Sequence, residues 1–174
     1  MSKDNTRAVV KDYVAKYPII QLLDNPLKVT PQGLNIGVRH ANGDYIIRLD
    51  AHAEYPPNYI SSLIKYAIEY QTDNIGGIIE TEVRGVDSKA LAIKAVLSHR
   101  FGVGNAIFRV GASIPAEVDT VPFGCFKKDV FSRFGLFDTR LVRNQDIELN
   151  KRIKMGGGMI LLHPHIRCTY FARN

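Results

Sequence analysis

Tyr45-Ile46-Ile47-Arg48-Leu49-Asp50-Ala51-His52 is an apolar run that stops abruptly in a carboxylate and an imidazole, two residues apart. The run reads as a buried strand. In an open α/β sheet the ligand pocket lies just beyond the carboxyl ends of the strands. Asp50 and His52, separated by the small Ala51, are therefore delivered where a pocket forms, and together they suit a grip on one divalent cation. The same residues also suit a strand that ends in a polar turn, with Asp50 capping the next segment. The octapeptide alone leaves both readings open.

Outward from this stretch, the chain alternates strands with helices. Upstream, Asn42-Gly43-Asp44 turns into the strand, and Thr30-Pro31 reads as an N-cap with Pro at the first helical position of a helix reaching about Ala41. Residues 19–23 read as a short strand stopped by Asp24-Asn25-Pro26. Ser2 or Asp4 caps a helix over residues 5–16, with Ala8, Val9, Tyr13 and Val14 broadly on one face.

Downstream, Pro56-Pro57 opens a helix in which Ile60, Leu63, Ile64, Ala67 and Ile68 recur at helical spacing. Residues 75–83 form a second buried-strand candidate despite Gly76-Gly77, and residues 87–97 read as helix. Residues 101–121 are Gly-rich and aperiodic, so they read as a long loop; such length in a compact domain tends to accompany function. Helices are expected over 127–134 and 146–155, and short strands over 159–162 and 166–171. This pattern argues an α/β sheet with pockets at its carboxyl edge.

Composition narrows the class. A chain of 174 residues is one domain with room for a real core. Its 45% hydrophobic and 23% charged residues are those of a soluble globular protein. No apolar run approaches the roughly 18 residues that span a bilayer, and Met1-Ser2-Lys3-Asp4 lacks the apolar region of a secretion signal. Cys125 and Cys168 show neither metal-binding nor redox spacing, and are expected as reduced core or pocket-wall residues of a cytoplasmic protein. A net charge of +6 suits an anionic partner such as a nucleotide, a lipid phosphate or nucleic acid. Nucleic acid is set aside, because the positive charges are dispersed and no RNA- or DNA-binding motif is present.

Five segments in order carry a resemblance to the family 2 glycosyltransferases. Ser2-Lys3-Asp4-Asn5-Thr6 is similar to the segment after that family's second strand. Pro31-Gln32-Gly33-Leu34-Asn35-Ile36-Gly37 and Ala41-Asn42-Gly43-Asp44-Tyr45-Ile46 resemble its helix and the return into the sheet. Asp50-Ala51-His52 takes the place of the Asp-x-Asp metal motif. Gly135-Leu136-Phe137-Asp138, followed by Asn144-Gln145-Asp146-Ile147-Glu148-Leu149, resembles the acceptor-side segment with the catalytic base. Asp50-Ala51-His52-Ala53-Glu54-Tyr55-Pro56 and Arg143-Asn144-Gln145-Asp146 look most like the enzymes that build bacterial exopolysaccharides such as succinoglycan.

The resemblance implies a GT-A-like fold, a Rossmann-like mixed sheet flanked by helices, with a donor-site part over about 1–85 and an acceptor-side part over about 86–174. It implies inverting, metal-dependent transfer from a nucleotide-diphosphate sugar to a saccharide or lipid-linked acceptor in polysaccharide biosynthesis. The location expected is cytoplasmic, with peripheral association at the inner face of the membrane. Donor contacts fall to Asp50, Gly33, Asn35 and Gly124, the last beneath the donor sugar where a side chain would block it. Asp50 and His52 fall to the cation, Mn²⁺ or Mg²⁺; imidazole favours Mn²⁺ over Mg²⁺, which prefers oxygen.

Asp146 becomes the general base that takes the acceptor's proton; otherwise it is an acid in a helix's first turn, where the dipole favours one. Glu148 is the less suited of the two. His163 and His165 are candidates for a further ligand or ordinary surface residues. Gly102-Val103-Gly104-Asn105 suits a segment near the acceptor. Arg143, Lys151 and Arg152 suit phosphate contacts or solvated helix faces. Tyr55, Tyr59, Tyr66 and Tyr70 form a recognition stripe or, at this spacing, packing. The family's first two strands, central in its usual sheet, have no counterpart after Met1. Residues 19–23 are therefore expected to lose a neighbour, and the Asp50 strand to expose an edge. The alternative function is a catalytically incompetent remnant that needs those strands.

Overall fold

The computed structural model describes residues 4–104 and 106–172. Ser2, one of the two expected caps, and Asn105, at the end of the expected acceptor-side segment, lie outside them. The sheet is built from β1 (Tyr45–Ile47), β2 (Ala53–Glu54), β3 (Asn74–Val83), β4 (Ala116–Glu117), β5 (Cys125–Lys127) and β6 (Ile160–Ala172). Its order is β1-β5-β3-β6-β2, with β4 also on β6. The ladder between β3 and β6 is parallel; β1–β5, β3–β5, β2–β6 and β4–β6 are antiparallel. The expected mixed α/β architecture is therefore the one observed. Among the described residues β1 pairs on one side only, as expected.

Period-two alternation explains why both sheet faces are covered. On β5, Phe126 joins one core with Val130, Phe137 and Leu149, while its neighbour Cys125 joins the opposite core with Tyr59, Leu63 and Ile166. α8 (Gln145–Met155) covers the first face with Leu149 and Ile153, both fully buried. α3 (Tyr59–Glu69) covers the second with Tyr59, Leu63 and Ala67, an i, i+4 row that leaves Ile60 and Ile68 exposed.

The paired glycines of β3 are required by close approach. A Cβ on Gly76 would lie 2.6 Å from Val121 Cβ, and one on Gly77 would lie 2.1 Å from the Ile166 carbonyl oxygen. Gly77 faces an irregularity in the ladder: Gly76 pairs with Leu162, and Ile78 already pairs with Arg167. The strands expected over 159–162 and 166–171 are thus one strand, β6, which bulges at His163-Pro164-His165-Ile166. Pro164 lacks the N–H that a regular ladder would use, which is why the sequence looked interrupted there.

Other expectations are corrected. Residues 19–23 form no strand; Ile19 is 92% exposed, and a short apolar run without a partner strand has no ladder to join. α1 (Thr6–Lys16) forms as expected but buries none of its residues, so its apolar face is not a core face here. Asp4 accepts from the Thr6 backbone and hydroxyl at its start. α2 (Thr30–His40) starts one residue early, with Val29 rather than Thr30 at the N-cap. Residues 101–121 are not a bare loop: α5 (Arg100–Val103), α6 (Ile107–Val110) and β4 lie there. Residues 125–127 pair as β5, and only α7 (Val130–Arg133) remains of the helix expected over 127–134. α4 (Ser88–Leu97) matches, and Asp87 caps it by accepting from the Ala90 N–H at 2.9 Å.

Cys125 and Cys168 are free and buried. Burial pushes their thiols up to about 12 and about 11 respectively. Both are therefore neutral and shielded at neutral pH, and the folded protein should react with a thiol-directed disulfide reagent far more slowly than the denatured chain. A raised folded pKa stabilises fully below the unfolded value of 9.0. That contribution is lost as pH climbs from there toward 12, so melting temperature should fall across this window and Cys125→Ala should flatten the fall. Rapid labelling of both thiols in the native protein would contradict this assignment.

Candidate active site

β1 ends at Ile47, three residues short of the expected end at Asp50, and the extension that follows it leads to a cleft. After Ile47 the Arg48 N–H donates to the Gly124 carbonyl at 3.1 Å, and the chain turns at Asp50. The turn is clamped by Tyr55, whose hydroxyl accepts from the Asp50 N–H at 2.8 Å. The cleft beyond it encloses about 210 Å³ and is lined by Arg48, Asp50, His52, Arg109, Asp146 and Tyr170, with apolar walls from Phe108 and Phe123. Asp50, His52 and Asp146, drawn from distant parts of the sequence, thus share one cavity.

Arg48 ties the two carboxylates together. Its Nε and Nη2 donate to Asp50 Oδ1 and Oδ2, both at 2.9 Å, a bidentate fork. Its Nη1 stands 3.7 Å from Asp146 Oδ2. Sequence reasoning missed this residue, although a cation two positions before a strand-end carboxylate was visible signal. His52 lies edge-on to Tyr170, ring centroids 5.0 Å apart, and its carbonyl accepts from Phe171 N–H at 3.0 Å. One carboxylate and one imidazole flanking Ala51 suit a cation that takes its other ligands from substrate phosphate and water. No group of three metal-ligating side chains gathers among the described residues.

Asp146 sits in the first turn of α8, whose orientation is fixed from below. Asn150 Nδ2 donates to Thr120 Oγ1 and its Oδ1 accepts from Asn74 Nδ2, each at 2.9 Å. These buried amides lock α8 to β3 and to the Thr120 wall of the cleft. Glu148 is occupied elsewhere, held by Arg152 at 2.6 and 2.7 Å.

The remaining candidates separate. Gly33 lines a different, apolar pocket between α2 and β1. Asn35 is buried and spends both ends of its amide on the Phe137 backbone, at 2.8 and 3.0 Å. Gly124 directly follows Phe123 of the cleft wall without itself lining the cavity; its φ of +44° and a Cβ position 2.4 Å from the Phe126 ring explain the glycine. His163 and His165 sit in the β6 bulge against α3, with His163 stacked on Tyr66 at 3.5 Å, so they do not join His52. Tyr55 and Tyr59 pack on each other at 4.8 Å. Gly104 borders a neighbouring cavity of about 620 Å³ that shares Phe108, Thr120 and Ile147 with the cleft.

Comparison with known proteins adds an independent line. The model of the family described as Glycosyl transferase family 2 matches residues 1–134. The succinoglycan biosynthesis protein ExoA of Rhizobium meliloti (strain 1021) is 25% identical over 174 residues, 99% of this chain and 52% of that protein. The dolichyl N-acetyl-α-D-glucosaminyl phosphate 3-β-D-2,3-diacetamido-2,3-dideoxy-β-D-glucuronosyltransferase of Methanococcus voltae is 23% identical over 181 residues, 99% of this chain and 55% of that protein. The chain thus spans about half the length of these relatives. Among solved structures, the mannosyltransferase PcManGT from Pyrobaculum calidifontis, in complex with GDP-Man and Mn²⁺, superposes with a TM-score of 0.68 at 19% identity, over 97% of this chain and 44% of that one. GalNAc-T7 with UDP, GalNAc and Mn²⁺ gives 0.72 at 17%, over 99% and 36%. The fold is the GT-A-like arrangement.

Proposed function

Because the chain belongs to glycosyl transferase family 2, we propose that it carries the donor and base residues for inverting transfer of a sugar from a nucleotide-diphosphate sugar to a saccharide or lipid-linked acceptor. The observation that carries this reading is the convergence of Asp50, His52 and Asp146 on one cleft. Asp50 and His52 would hold a divalent cation, Mn²⁺ or Mg²⁺. When bound, the cation supplies Lewis-acid neutralisation of the departing diphosphate. Mn²⁺ with a nucleotide or nucleotide sugar in the two structural relatives supports that choice.

Asp146 takes the proton of the acceptor hydroxyl as its oxygen attacks the anomeric carbon. The bond from that carbon to the diphosphate oxygen breaks, and the nucleoside diphosphate leaves with the electron pair. Arg48 holds Asp50 and keeps Asp146 in register with it. A lipid-linked acceptor would put the reaction at a membrane's inner face, which the net charge of +6 suits. No helix among the described residues is long and apolar enough to cross a membrane.

The same fork supports a second reading. Both Asp50 oxygens are taken by Arg48. If the guanidinium does not yield one, the cleft stays shut to the cation and the chain is an incompetent relative.

Titration calorimetry with UDP and GDP, with and without Mn²⁺, separates the two. Wild-type protein should bind one nucleotide in a Mn²⁺-dependent way, and Asp50→Asn and His52→Ala should each weaken it about tenfold or more. A folded wild type that binds neither nucleotide would select the incompetent reading.

A further inference from the structure

Arg109 is the cleft residue that the proposed chemistry leaves idle. It reaches the cavity from the short α6, alongside Asp50 and His52. Arg48, the other arginine of the cleft, is spent on Asp50 and Asp146. Arg109 makes no ion pair among the described residues. Its side chain is nevertheless held in place. Nη1 donates to the hydroxyl of the buried Thr81 at 3.2 Å, and the guanidinium lies 5.3 Å from the centroid of the Tyr170 ring. A guanidinium carries five N–H donors, and packing on an aromatic ring leaves its in-plane edge available. The cleft thus contains a half-buried, oriented and uncompensated cation.

We infer that Arg109 grips a phosphate oxyanion, as a second hold on substrate beside the Asp50–His52 end of the cleft. The cleft's own carboxylates, Asp50 and Asp146, pair with Arg48 instead, and a planar fork in a partly desolvated cavity matches phosphate geometry. The two arginines and the two aspartates of the cleft leave it formally neutral, and a divalent cation at Asp50 and His52 would make it positive. The anion it then calls for carries multiple negative charges. Tyr170 contacts both Arg109 and His52, so one aromatic ring spaces the two holds. Two sources offer this chemistry, the donor's diphosphate and a phosphorylated acceptor. The inference rests on the transferase reading.

The test compares wild type, Arg109→Gln and Arg109→Lys for binding of UDP and GDP with Mn²⁺, of inorganic pyrophosphate, and of a water-soluble alkyl phosphate against its parent alcohol. Melting temperatures confirm folding. Arg109→Gln should weaken binding of at least one phosphate ligand roughly tenfold, and Arg109→Lys, which keeps charge but loses the fork, should recover only part. Loss confined to nucleotide and pyrophosphate assigns the donor diphosphate; loss confined to the alkyl phosphate, with the alcohol unaffected, assigns the acceptor. Wild-type affinities retained by Arg109→Gln for every phosphate would overturn this inference alone. A wild type that binds none of the phosphates would overturn it together with the transferase reading.

Discussion

Asp146→Asn should lower sugar transfer by about 10²–10⁴-fold, the range for removing a positioned general base, while nucleotide binding stays near the wild-type level. Asparagine keeps the size and shape of the side chain and its place in the first turn of α8, but it cannot take the acceptor's proton. The neighbouring carboxylate offers no substitute. Glu148 is forked onto Arg152, which also donates to the Leu136 carbonyl at 2.8 Å. Glu148→Gln should accordingly affect stability more than turnover. The check is single-turnover transfer with the donor that the nucleotide titrations select, beside calorimetric donor binding. Transfer by Asp146→Asn within a few-fold of wild type would return Asp146 to the role of a helix-start acid.

The largest structural effect is expected from the smallest side-chain change. Gly77→Ala places a methyl group 2.1 Å from the Ile166 carbonyl oxygen and 2.6 Å from its carbonyl carbon. Both neighbours are backbone, so no rotamer change relieves the contact; β3 or the β6 bulge must move. That movement would disturb the parallel ladder through the middle of the sheet. A loss of about 3 kcal/mol or more is expected, at or beyond the upper end for overpacked interiors. Gly37→Ala is the control, because a Cβ there meets nothing within 4 Å. Urea unfolding of the two variants measures the difference. Equal midpoints would mean that the bulge yields at little cost.

Much of the frame was legible because it rests on local signals. The strand leading toward Asp50, which ends at Ile47, the helix after Pro56-Pro57 and the α8 helix each carry their own periodicity or punctuation. What escaped was set by pairing at a distance. Cys125–Lys127 is three residues long and becomes a strand only because Asn74–Ile75 and Tyr45–Ile47 lie on either side. Residues 19–23 looked equally extended and, lacking such neighbours, are not a strand. In the cleft, Asp50, His52 and Asp146 were identifiable through the motif order. Arg109 was not, because its segment has no periodicity and its placement comes from Tyr170 and Thr81, which are distant in sequence. Asn35 was assigned to the donor through its place in the resembling segment 31–37, and only the folded chain reveals that both ends of its amide are bonded to the Phe137 backbone.

The parallel pairing of Asn74–Val83 with Ile160–Ala172 also sets a timetable. A ribosome delivers β3 long before β6, and the middle of the sheet must wait for its partner. During that interval β3, apolar and nearly continuous in its burial, has only β5 and the helices to shelter it. Long-range parallel pairing of this kind is slow to form and leaves strands open to wrong partners meanwhile. The nascent chain is therefore most in need of a chaperone between the emergence of Val83 and that of Ala172, and the wall of the cleft supplied by Tyr170 is made only at the close of that interval.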